Sequence, residues 1–417
     1  MDRFIINGGR KLSGEIAVSG AKNATLPVMA ATILTGGEFK LNNIPDLIDI
    51  KLMGHLLRIL GAQVEHDEGK MYIDTSRMDG WEAPYELVSK MRASIYVLGP
   101  LLSRFGKAKV SFPGGCAIGT RPVDLHLMAM EKLGAEIRIE HGYIVAECEK
   151  LKGADITFRK VSVGATANTL MAAVMAEGET NLYNCAIEPE IQSFVEFLNK
   201  MGADIRGIGT SHLQILGVNK LNAVESVMLA DRIEAGTFLI AGAITRSEIT
   251  ITNCVPTHLG EFFDKLKQVG CGFDIMGNII TIKPGELINS VNITTAPFPE
   301  YPTDLQAQFM ALMCLCTGEC IIEEGIFPDR FTHAAELNRL DADIKVDGNQ
   351  AKVRGVSKLS GAPVMATDLR ASAALVLAGL AAEGKTDISR IYHIDRGYEN
   401  FENKLSALGA NIKRIKG

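Results

Sequence analysis

Apolar and polar residues are arranged in two different patterns along this 417-residue chain. Long apolar stretches, such as MAAVMAEGETNLYNC from Met171, meet a small or polar break and continue as a short strand pattern. Strictly alternating segments such as AEIRIE and ADIKVDG follow elsewhere. The first pattern is typical of a buried helix that leads into a strand, and the second of a strand with one buried face. The sequence therefore predicts an α/β protein.

One short motif, an apolar residue followed by a Gly-Ala-like pair and a strand, recurs six times. The copies begin at Leu60, Leu133, Met201, Val269, Leu340 and Leu408. Successive copies lie 73, 68, 68, 71 and 68 residues apart. Self-similarity at a fixed period indicates a repeat architecture. We therefore predict six units of about 70 residues, each with a helix, a strand, a second helix and one or two further strands.

The two ends of the chain suggest how the repeats are divided. KLSG occurs at Lys11 and again at Lys358, and the segments that follow the two copies are parallel. The last unit stops at NIKRIKG without a final strand, and FIINGG near the N-terminus is the missing piece. We predict a three-repeat domain of residues 22–229 and a second domain of residues 1–21 plus 230–417, which the N-terminal strand completes. A hinge and a cleft are expected between them.

Composition narrows the class of protein. With 47% hydrophobic residues, a net charge of −6 and no basic run, we expect a globular protein that does not bind nucleic acid. The charged residues at positions 2, 3, 10 and 11 leave no room for the apolar region of a signal peptide. No apolar run reaches the ~18 residues needed to span a membrane. The eight cysteines are scattered, without the spacing of a disulfide framework, so we expect the protein to reside in the reducing cytoplasm. Cys314, Cys316 and Cys320 lie in an apolar segment, which favours core packing over zinc binding.

A glycine-rich loop, FPGGCAIGTRPVDLHL from Phe112, carries one cysteine and one arginine. Its glycines allow backbone conformations that other residues avoid. Cys116 near Arg121 would have the cationic surroundings of a reactive thiol, and the loop could close over an anionic substrate. A buried, inert Cys116 in an ordinary turn is the alternative. The residues alone leave both interpretations open.

The repeats also align the starts of their first helices, where unpaired N–H groups attract anions. Basic residues accompany five of the six starts, namely Lys22, Arg92, Lys160, Arg232 and Arg370. Singly, each could be a solvated charge or a salt-bridge partner. Because repeat symmetry places them equivalently, the set favours an interdomain cleft for a substrate rich in phosphate or carboxylate.

The remaining start carries a carboxylate, Asp304. An acid at a helix start is ordinarily a cap. In a cationic cleft, it is also a candidate general base for a substrate hydroxyl. Arg396, in the segment YHIDRGYE, is a further candidate, although Asp395 could pair with it in a purely structural ion pair.

Together these motifs resemble the UDP-N-acetylglucosamine 1-carboxyvinyltransferase family of enolpyruvyl transferases, over the whole chain. The motifs are SGAKNA, MRAS, PGGCAIG with RPVDLH, KVSVGAT, DRIE with GTF, PTD with QAQF, ATDLRASA and YHIDRGYE. The resemblance implies an inside-out α/β barrel of two domains, each with three repeats whose helices lie inside and whose sheets lie outside. It implies no metal and no organic cofactor.

The resemblance also implies a reaction, the transfer of the enolpyruvyl group of phosphoenolpyruvate to the 3-hydroxyl of UDP-N-acetylglucosamine through a tetrahedral ketal. Phosphate is released, and the step is the first committed one of peptidoglycan synthesis. Cys116 would be the general acid and could carry a phosphoenolpyruvate adduct. The other residues implied as catalytic are Asp304, Lys22 and Arg396.

Substrate-binding residues follow from the same resemblance. Phosphoenolpyruvate would be held by Lys22, Asn23, Arg121 and Arg396. The nucleotide sugar would be bound by Arg92, Arg121, Pro122, Val123, Asp124, Leu125, Lys160, Val161, Ser162, Val163, Asp304 and Ile326, and Gly164 and Arg370 also count as substrate-binding.

Two other functions stay open at this point. The shikimate-pathway enolpyruvyl transferase shares the fold and phosphoenolpyruvate, although the Cys116 loop and RPVDLH favour the nucleotide sugar. A non-catalytic paralogue could bind the nucleotide sugar without turnover, although the set of Cys116, Asp304, Lys22 and Arg396 is intact. A P-loop or dinucleotide enzyme is disfavoured because neither glycine fingerprint occurs.

Overall fold

A computed structural model describes residues 2–88, 91–112 and 123–417, with Arg92 described by its backbone. The chain forms two compact units. The first unit contains the described residues of 20–229, and the second contains residues 2–19 and 230–417. These limits lie within two residues of the predicted ones. Whether the units act as domains with a hinge and a cleft stays a prediction.

Strands and helices alternate along the chain. The strands are β1 (Arg3–Asn7), β2 (Glu15–Ala17), β3 (Glu38–Asn42), β4 (Gln63–Asp67), β5 (Lys70–Asp74), β6 (Glu82–Ala83), β7 (Lys107–Ser111), β8 (Glu136–Glu140), β9 (Tyr143–Glu147), β10 (Asp155–Thr157), β11 (Glu179–Tyr183), β12 (Asp204–Arg206), β13 (His212–Leu216), β14 (Glu225–Val227), β15 (Ile249–Thr252), β16 (Gly272–Met276), β17 (Ile279–Lys283), β18 (Ile293–Thr295), β19 (Glu319–Glu324), β20 (Asp343–Asp347), β21 (Gln350–Arg354), β22 (Pro363–Met365), β23 (Lys385–Ser389) and β24 (Ile412–Ile415).

The helices are α1 (Lys22–Ala31), α2 (Ile48–Ile59), α3 (Tyr85–Val88), α4 (Leu98–Phe105), α5 (Asp124–Lys132), α6 (Val163–Ala173), α7 (Pro189–Met201), α8 (Arg232–Ile244), α9 (Gly260–Val269), α10 (Gln306–Met313), α11 (His333–Asn338), α12 (Leu369–Ala381) and α13 (Phe401–Ala407). Short 3-10 turns span Thr32–Leu34, Arg92–Val97, Pro256–Leu259, Thr303–Leu305 and Ile391–Arg396.

The described strands form six four-stranded sheets with one shared pattern. One edge strand of each sheet pairs in parallel with the strand next to it. The two remaining pairs of neighbouring strands are antiparallel, as β3–β5 and β5–β4 are in the first sheet. The sheets of the first unit run β14-β3-β5-β4, β6-β7-β9-β8 and β10-β11-β13-β12, and those of the second unit run β2-β15-β17-β16, β18-β19-β21-β20 and β22-β23-β1-β24. This sixfold recurrence confirms the α/β repeat fold.

The N-terminal strand belongs to the sheet of the last repeat. β1 lies between β23 and β24 and is antiparallel to both, with Phe4 opposite Ile388 and Arg414. It occupies the position that β5 has in the first sheet. Phe4 and Ile6, which alternate along β1, are both buried and cover the inner face of that sheet.

Helices fill the interior of each unit. In α12, every residue from Arg370 to Leu380 is buried, and α1, α6, α8 and α10 are buried over most of their lengths. A helix that is apolar on all sides belongs in a core. The strands bury alternate residues against these helices, as in β11 and β21. Helices inside and sheets outside are the inside-out arrangement that was predicted.

Helices or 3-10 turns begin at the aligned positions of the repeats. They start at Lys22, Arg92, Val163, Arg232, Thr303 and Leu369. Cys314, Cys316 and Cys320 are buried in the core of the second unit. Among the described residues, no group of three or more His, Cys, Asp or Glu side chains is arranged to hold a metal ion. No helix in the described ranges is both long and apolar enough to traverse a bilayer.

Glycine is required where a strand passes over the end of a buried helix. A Cβ on Gly355, which follows β21, would lie 1.7 Å from the Cys316 carbonyl oxygen. We expect Gly355→Ala to destabilise the protein by about 2 kcal/mol or more, because backbone must move to admit the methyl group. Urea unfolding measures this change.

The matched control is Gly260→Ala at the start of α9. Its φ is −50°, and a Cβ there meets nothing within 4 Å. This variant should be as stable as the wild type or up to about 1 kcal/mol more stable. Equal unfolding midpoints for the two variants would contradict the packing argument.

Candidate active site

A carboxylate lies between two buried arginines at the start of α10. Asp304 Oδ1 is 2.8 Å from Arg330 Nη2, and Asp304 Oδ2 is 2.8 Å from Arg370 Nη2. The arginine side chains are 5% exposed and that of Asp304 is 25% exposed. We call these three residues the acid–arginine cluster. Its carboxylate is held in place and still reaches solvent.

Polar neighbours fix Arg330 within the cluster. Its Nη1 donates to Thr303 Oγ1 over 2.9 Å, and that hydroxyl donates to Glu324 at 2.9 Å. The fully buried Glu324 also accepts the backbone N–H groups of Ile326 and Phe327, each at 3.0 Å. The turn that contains Ile326, a predicted binding residue, is therefore tied to the cluster.

Arg370 is fixed by the start of its own helix. Asp368 caps α12 by accepting the N–H groups of Arg370 and Ala371 at 2.8 and 3.0 Å. Arg370 Nη1 lies 3.3 Å from Tyr398 Oη, and that hydroxyl lies 2.9 Å from Thr237 Oγ1. The guanidinium therefore faces Asp304 in a defined orientation.

The two arginines set the charge of Asp304. Burial alone would raise the pKa of this carboxyl, but Arg370 and Arg330 outweigh burial and hold the pKa well below its usual range. Burial alone would lower the pKa of Arg370, and Asp304 reverses that effect and raises it. Asp304 is thus a charged, strong hydrogen-bond acceptor. It is a weak proton acceptor while both guanidinium groups stay bound.

Arg396 ends the 3-10 turn Ile391–Arg396 in the second unit. The neighbouring Asp395 forms a bidentate ion pair with Arg414 of β24, at 2.9 and 2.6 Å. Arg414 Nε also donates to Glu402 at 2.6 Å. The turn with Arg396 is therefore anchored to the last strand, a contact that the sequence did not indicate.

A buried ion pair lies at the start of α1 in the first unit. Lys22 Nζ is 3.3 Å from Asp49 Oδ2, with the two side chains 13% and 6% exposed. Asn23 is the next residue of the same turn and is partly buried. The first N–H groups of a helix have no partner within it. Lys22 and Asn23 therefore lie at the positive end of the α1 dipole.

Two predicted nucleotide-sugar segments come together in the first unit. Asp124, the first residue of α5, pairs with Arg159, which directly precedes Lys160. Lys160 is exposed, and Val161 and Leu125 are partly buried against the core. The start of α5, with Asp124 and the buried Val123 before it, therefore neighbours the segment before α6.

The start of α6 is capped and closely packed. Ser162 Oγ accepts the N–H of Ala165 at 3.2 Å. A Cβ on Gly164 would lie 3.2 Å from Nε2 of His126 in α5. Val163 is the first residue of α6 and is partly buried. The N–H groups of this turn form the type of site that binds phosphate.

Four predictions concern residues beyond what the structure describes. Cys116, Arg121 and Pro122 lie outside the described residues, as does the side chain of Arg92. Their roles stay predictions. Arg232, another aligned basic residue, places its guanidinium carbon 5.7 Å from the ring centroid of Phe298.

Sequence reasoning missed Arg330, Glu324 and Asp49, none of which lies at an aligned helix start. Glu324 had a detectable signal, since it falls on the buried positions of β19 together with Cys320 and Ile322. A carboxylate at the inward position of an alternating strand indicates a buried polar contact. The partners of Arg330 and Asp49 are distant in sequence and gave no local pattern.

Comparison with known proteins identifies the class to which the chain belongs. A family model described as EPSP synthase (3-phosphoshikimate 1-carboxyvinyltransferase) matches residues 6–405. The enolpyruvyl transferase NikO from Streptomyces tendae superposes with a TM-score of 0.90 at 27% identity, covering 100% of this chain and 99% of NikO. EPSP synthase from Acinetobacter baumannii has a TM-score of 0.78 at 18% identity, with both chains fully covered, and shares the fold. These matches define the class as enolpyruvyl transferases.

Curated relatives match over their full length. UDP-N-acetylglucosamine 1-carboxyvinyltransferase from Desulfosudis oleivorans is 53% identical over 415 residues, with 100% of both chains covered. The protein of the same name from Chlorobaculum parvum is 55% identical over 417 residues, covering 99% of this chain and 98% of the relative. The chain belongs to the family of UDP-N-acetylglucosamine 1-carboxyvinyltransferases.

The acid–arginine cluster predicts a pH-dependent stability. The pKa of Asp304 in the folded state lies below its unfolded value of about 3.9. Ionisation therefore stabilises the fold above that pH, and this stabilisation is lost as the pH falls toward the folded-state pKa. Asp304→Asn should lower the free energy of unfolding by about 3 kcal/mol at pH 7 and at pH 5.5, and by less below pH 4.

Urea titrations at each pH measure this difference. Asp46→Asn is the control, because Asp46 and its partner Lys51 are both more than half exposed. Its effect should stay within about 0.5 kcal/mol at every pH. A loss for Asp304→Asn that grows as the pH falls would contradict the assignment.

Proposed function

We propose that the protein transfers the enolpyruvyl group of phosphoenolpyruvate to the 3-hydroxyl of UDP-N-acetylglucosamine and releases phosphate. The reaction opens peptidoglycan synthesis in the cytoplasm. The observation that carries this proposal is the identity of 53–55% with relatives of that name over the whole chain. The similarity to NikO supports enolpyruvyl transfer independently.

Phosphoenolpyruvate carries a carboxylate and a phosphate, so its site needs cations in fixed positions. We assign it to Lys22, Asn23, Arg121 and Arg396. Two structural features support this assignment. The ammonium group of Lys22 is held by the buried Asp49, and the turn of Arg396 is anchored through Asp395. Cations that are already oriented stabilise developing charge without reorganisation.

The nucleotide sugar needs anion-binding groups and contacts to its base. The start of α6, with Ser162, Val163 and Gly164, suits its diphosphate. Lys160 adds a cation and Val161 a partly apolar surface beside that start. The rest of the proposed site consists of Arg92, Arg121, Pro122, Val123, Asp124, Leu125, Asp304, Ile326 and Arg370.

The reaction begins with addition. The 3-hydroxyl oxygen forms a bond to C2 of phosphoenolpyruvate, while the double bond takes a proton at the methylene carbon from the Cys116 thiol. The hydroxyl proton passes to Asp304, which first orients the hydroxyl as an acceptor. Negative charge of the substrates near Arg330 and Arg370 would offset the cations and make Asp304 more basic.

Elimination completes the transfer. The tetrahedral ketal returns a proton from its methyl group to the Cys116 thiolate, the double bond forms again, and the C2–O bond to phosphate breaks. The proton held by Asp304 leaves with the phosphate, so both side chains regain their starting states. The released phosphate and the enolpyruvyl ether account for all atoms of both substrates. Exclusion of water during these steps protects the ketal and strengthens each electrostatic contact.

The choice of acceptor tests the proposal. Purified protein is expected to release phosphate from phosphoenolpyruvate with UDP-N-acetylglucosamine, and mass spectrometry should show the enolpyruvyl nucleotide sugar. Shikimate 3-phosphate should give no more phosphate than a control without acceptor. Turnover with shikimate 3-phosphate alone would replace the proposal with the shikimate-pathway reaction. Binding of the nucleotide sugar without turnover would identify a non-catalytic paralogue.

A further inference from the structure

The hydroxyl group of Tyr398 joins three buried helices of the second unit. Tyr398 comes two residues after the 3-10 turn Ile391–Arg396 and is 2% exposed. Its Oη lies 2.9 Å from Oγ1 of Thr237 in α8, 3.0 Å from Nε2 of Gln308 in α10 and 3.3 Å from Nη1 of Arg370 in α12. These are the first helices of the three repeats in that unit, so one side chain from outside them connects all three.

Two donors face the oxygen of this hydroxyl. The guanidinium group of Arg370 can only donate hydrogen bonds. Nε2 of Gln308 also lies 2.9 Å from the backbone oxygen of Asp304, which can only accept, so this atom of the amide is the nitrogen. Tyr398 Oη therefore accepts two hydrogen bonds, one from Arg370 and one from Gln308.

The proton of the Tyr398 hydroxyl passes to Thr237. Neither Arg370 nor the amide nitrogen of Gln308 can accept it, whereas Oγ1 of Thr237 can. Thr237 donates its own proton to the carbonyl oxygen of Ile233 at 2.8 Å, so its oxygen acts as the acceptor toward the tyrosine. Burial raises the pKa of Tyr398, so the hydroxyl keeps its proton. The direction of each of these hydrogen bonds is therefore fixed.

Both donors to the hydroxyl also contact Asp304. Arg370 places Nη1 on the Tyr398 oxygen and Nη2 on Asp304 Oδ2, at 3.3 and 2.8 Å. Gln308 bridges the same hydroxyl and the backbone oxygen of Asp304. Tyr398 therefore constrains the carboxylate of Asp304 through an arginine and the backbone of the same residue through an amide.

The aromatic ring of Tyr398 has contacts of its own. Its centroid lies 4.8 Å from that of Phe401 and 5.5 Å from the guanidinium carbon of Arg370. The Arg370 side chain is only 5% exposed, so bulk water does not replace an acceptor that is lost at Nη1. Removal of the hydroxyl oxygen with the ring kept in place would therefore leave the guanidinium freer to turn away from Asp304.

We infer that Tyr398 is a positioning residue of the proposed transfer, because its hydroxyl holds Arg370 and Gln308 in the orientation that directs Asp304 toward the acceptor hydroxyl. The inference rests on the proposed function and adds to it a residue that acts through others rather than on the substrate. A carboxylate that is already oriented needs no reorganisation during the reaction, and a small displacement of such a group is costly in rate.

A double-mutant cycle tests this role. Tyr398→Phe removes one oxygen atom and keeps the ring. Its kcat should fall about tenfold, while the KM values for both substrates stay within about twofold of the wild type. In an Asp304→Ala background, the same change should alter kcat by less than about twofold, because no carboxylate remains to be positioned. Mass spectrometry of the enolpyruvyl nucleotide sugar measures the rates of the slow variants.

Tyr143→Phe is the matched control. The Tyr143 hydroxyl also accepts a hydrogen bond, from the backbone N–H of Tyr85 at 3.3 Å, and it belongs to β9 of the first unit. The kcat of this variant should equal that of the wild type. An equal loss for Tyr398→Phe in both backgrounds would overturn the inference, since packing alone then explains the effect. An unchanged kcat in Tyr398→Phe would overturn it as well.

Nitrogen-15 NMR of the arginine side chains keeps the inference testable if a variant fails to fold or turnover is absent. In the unaltered protein, restricted rotation of the Arg370 guanidinium should give separate Nη1 and Nη2 signals, which Arg370→Lys assigns. A single averaged signal would overturn the inference. In Tyr398→Phe this rotation should be about tenfold faster, the loss of one hydrogen bond, and an equal rate would also overturn it. Turnover of UDP-N-acetylglucosamine by the wild type tests the proposed function separately, so failure of one does not imply failure of the other.

Discussion

In the described parts of both units, the first helix of a repeat is buried along most of its length. Packed apolar side chains leave no room for substrate along such a helix, so its ends are the parts that can present polar groups. The N–H groups at the start lack partners and attract anions or carboxylate caps. Asp231 and Asp368 cap α8 and α12 in this way. The candidate site residues gather at helix starts for the same reason.

Charges at these buried starts need counter-charges, and the counter-charges come from distant parts of the chain. Arg330 and Arg370 hold Asp304, and Asp49 holds Lys22. The resulting ion pairs hold these side chains in defined orientations, and in the proposed mechanism such preorganised charges stabilise the transition state. They also lower the basicity of Asp304, and in the proposed mechanism the charge of the substrates would offset this effect.

The fold could be predicted because six copies of one sequence pattern indicate the same order of helices and strands. The copies also align the starts of the first helices. That alignment led to Lys22, Asp304 and Arg370. It could not lead to Arg330 or Asp49, whose importance comes from contacts with residues 26 or more positions away. Local patterns carry no information on such contacts. The role of Cys116 is still a prediction from its motif.

The central claim is that the carboxylate at the start of α10 acts on the acceptor hydroxyl. Steady-state kinetics and nucleotide-sugar titrations of Asp304→Ala, compared with Asp46→Ala, test this claim most directly. We expect kcat to fall by about 100-fold or more in the first variant, with a much smaller loss of affinity and no change in the second. An unchanged kcat with weakened binding would contradict the claim and assign Asp304 to binding alone.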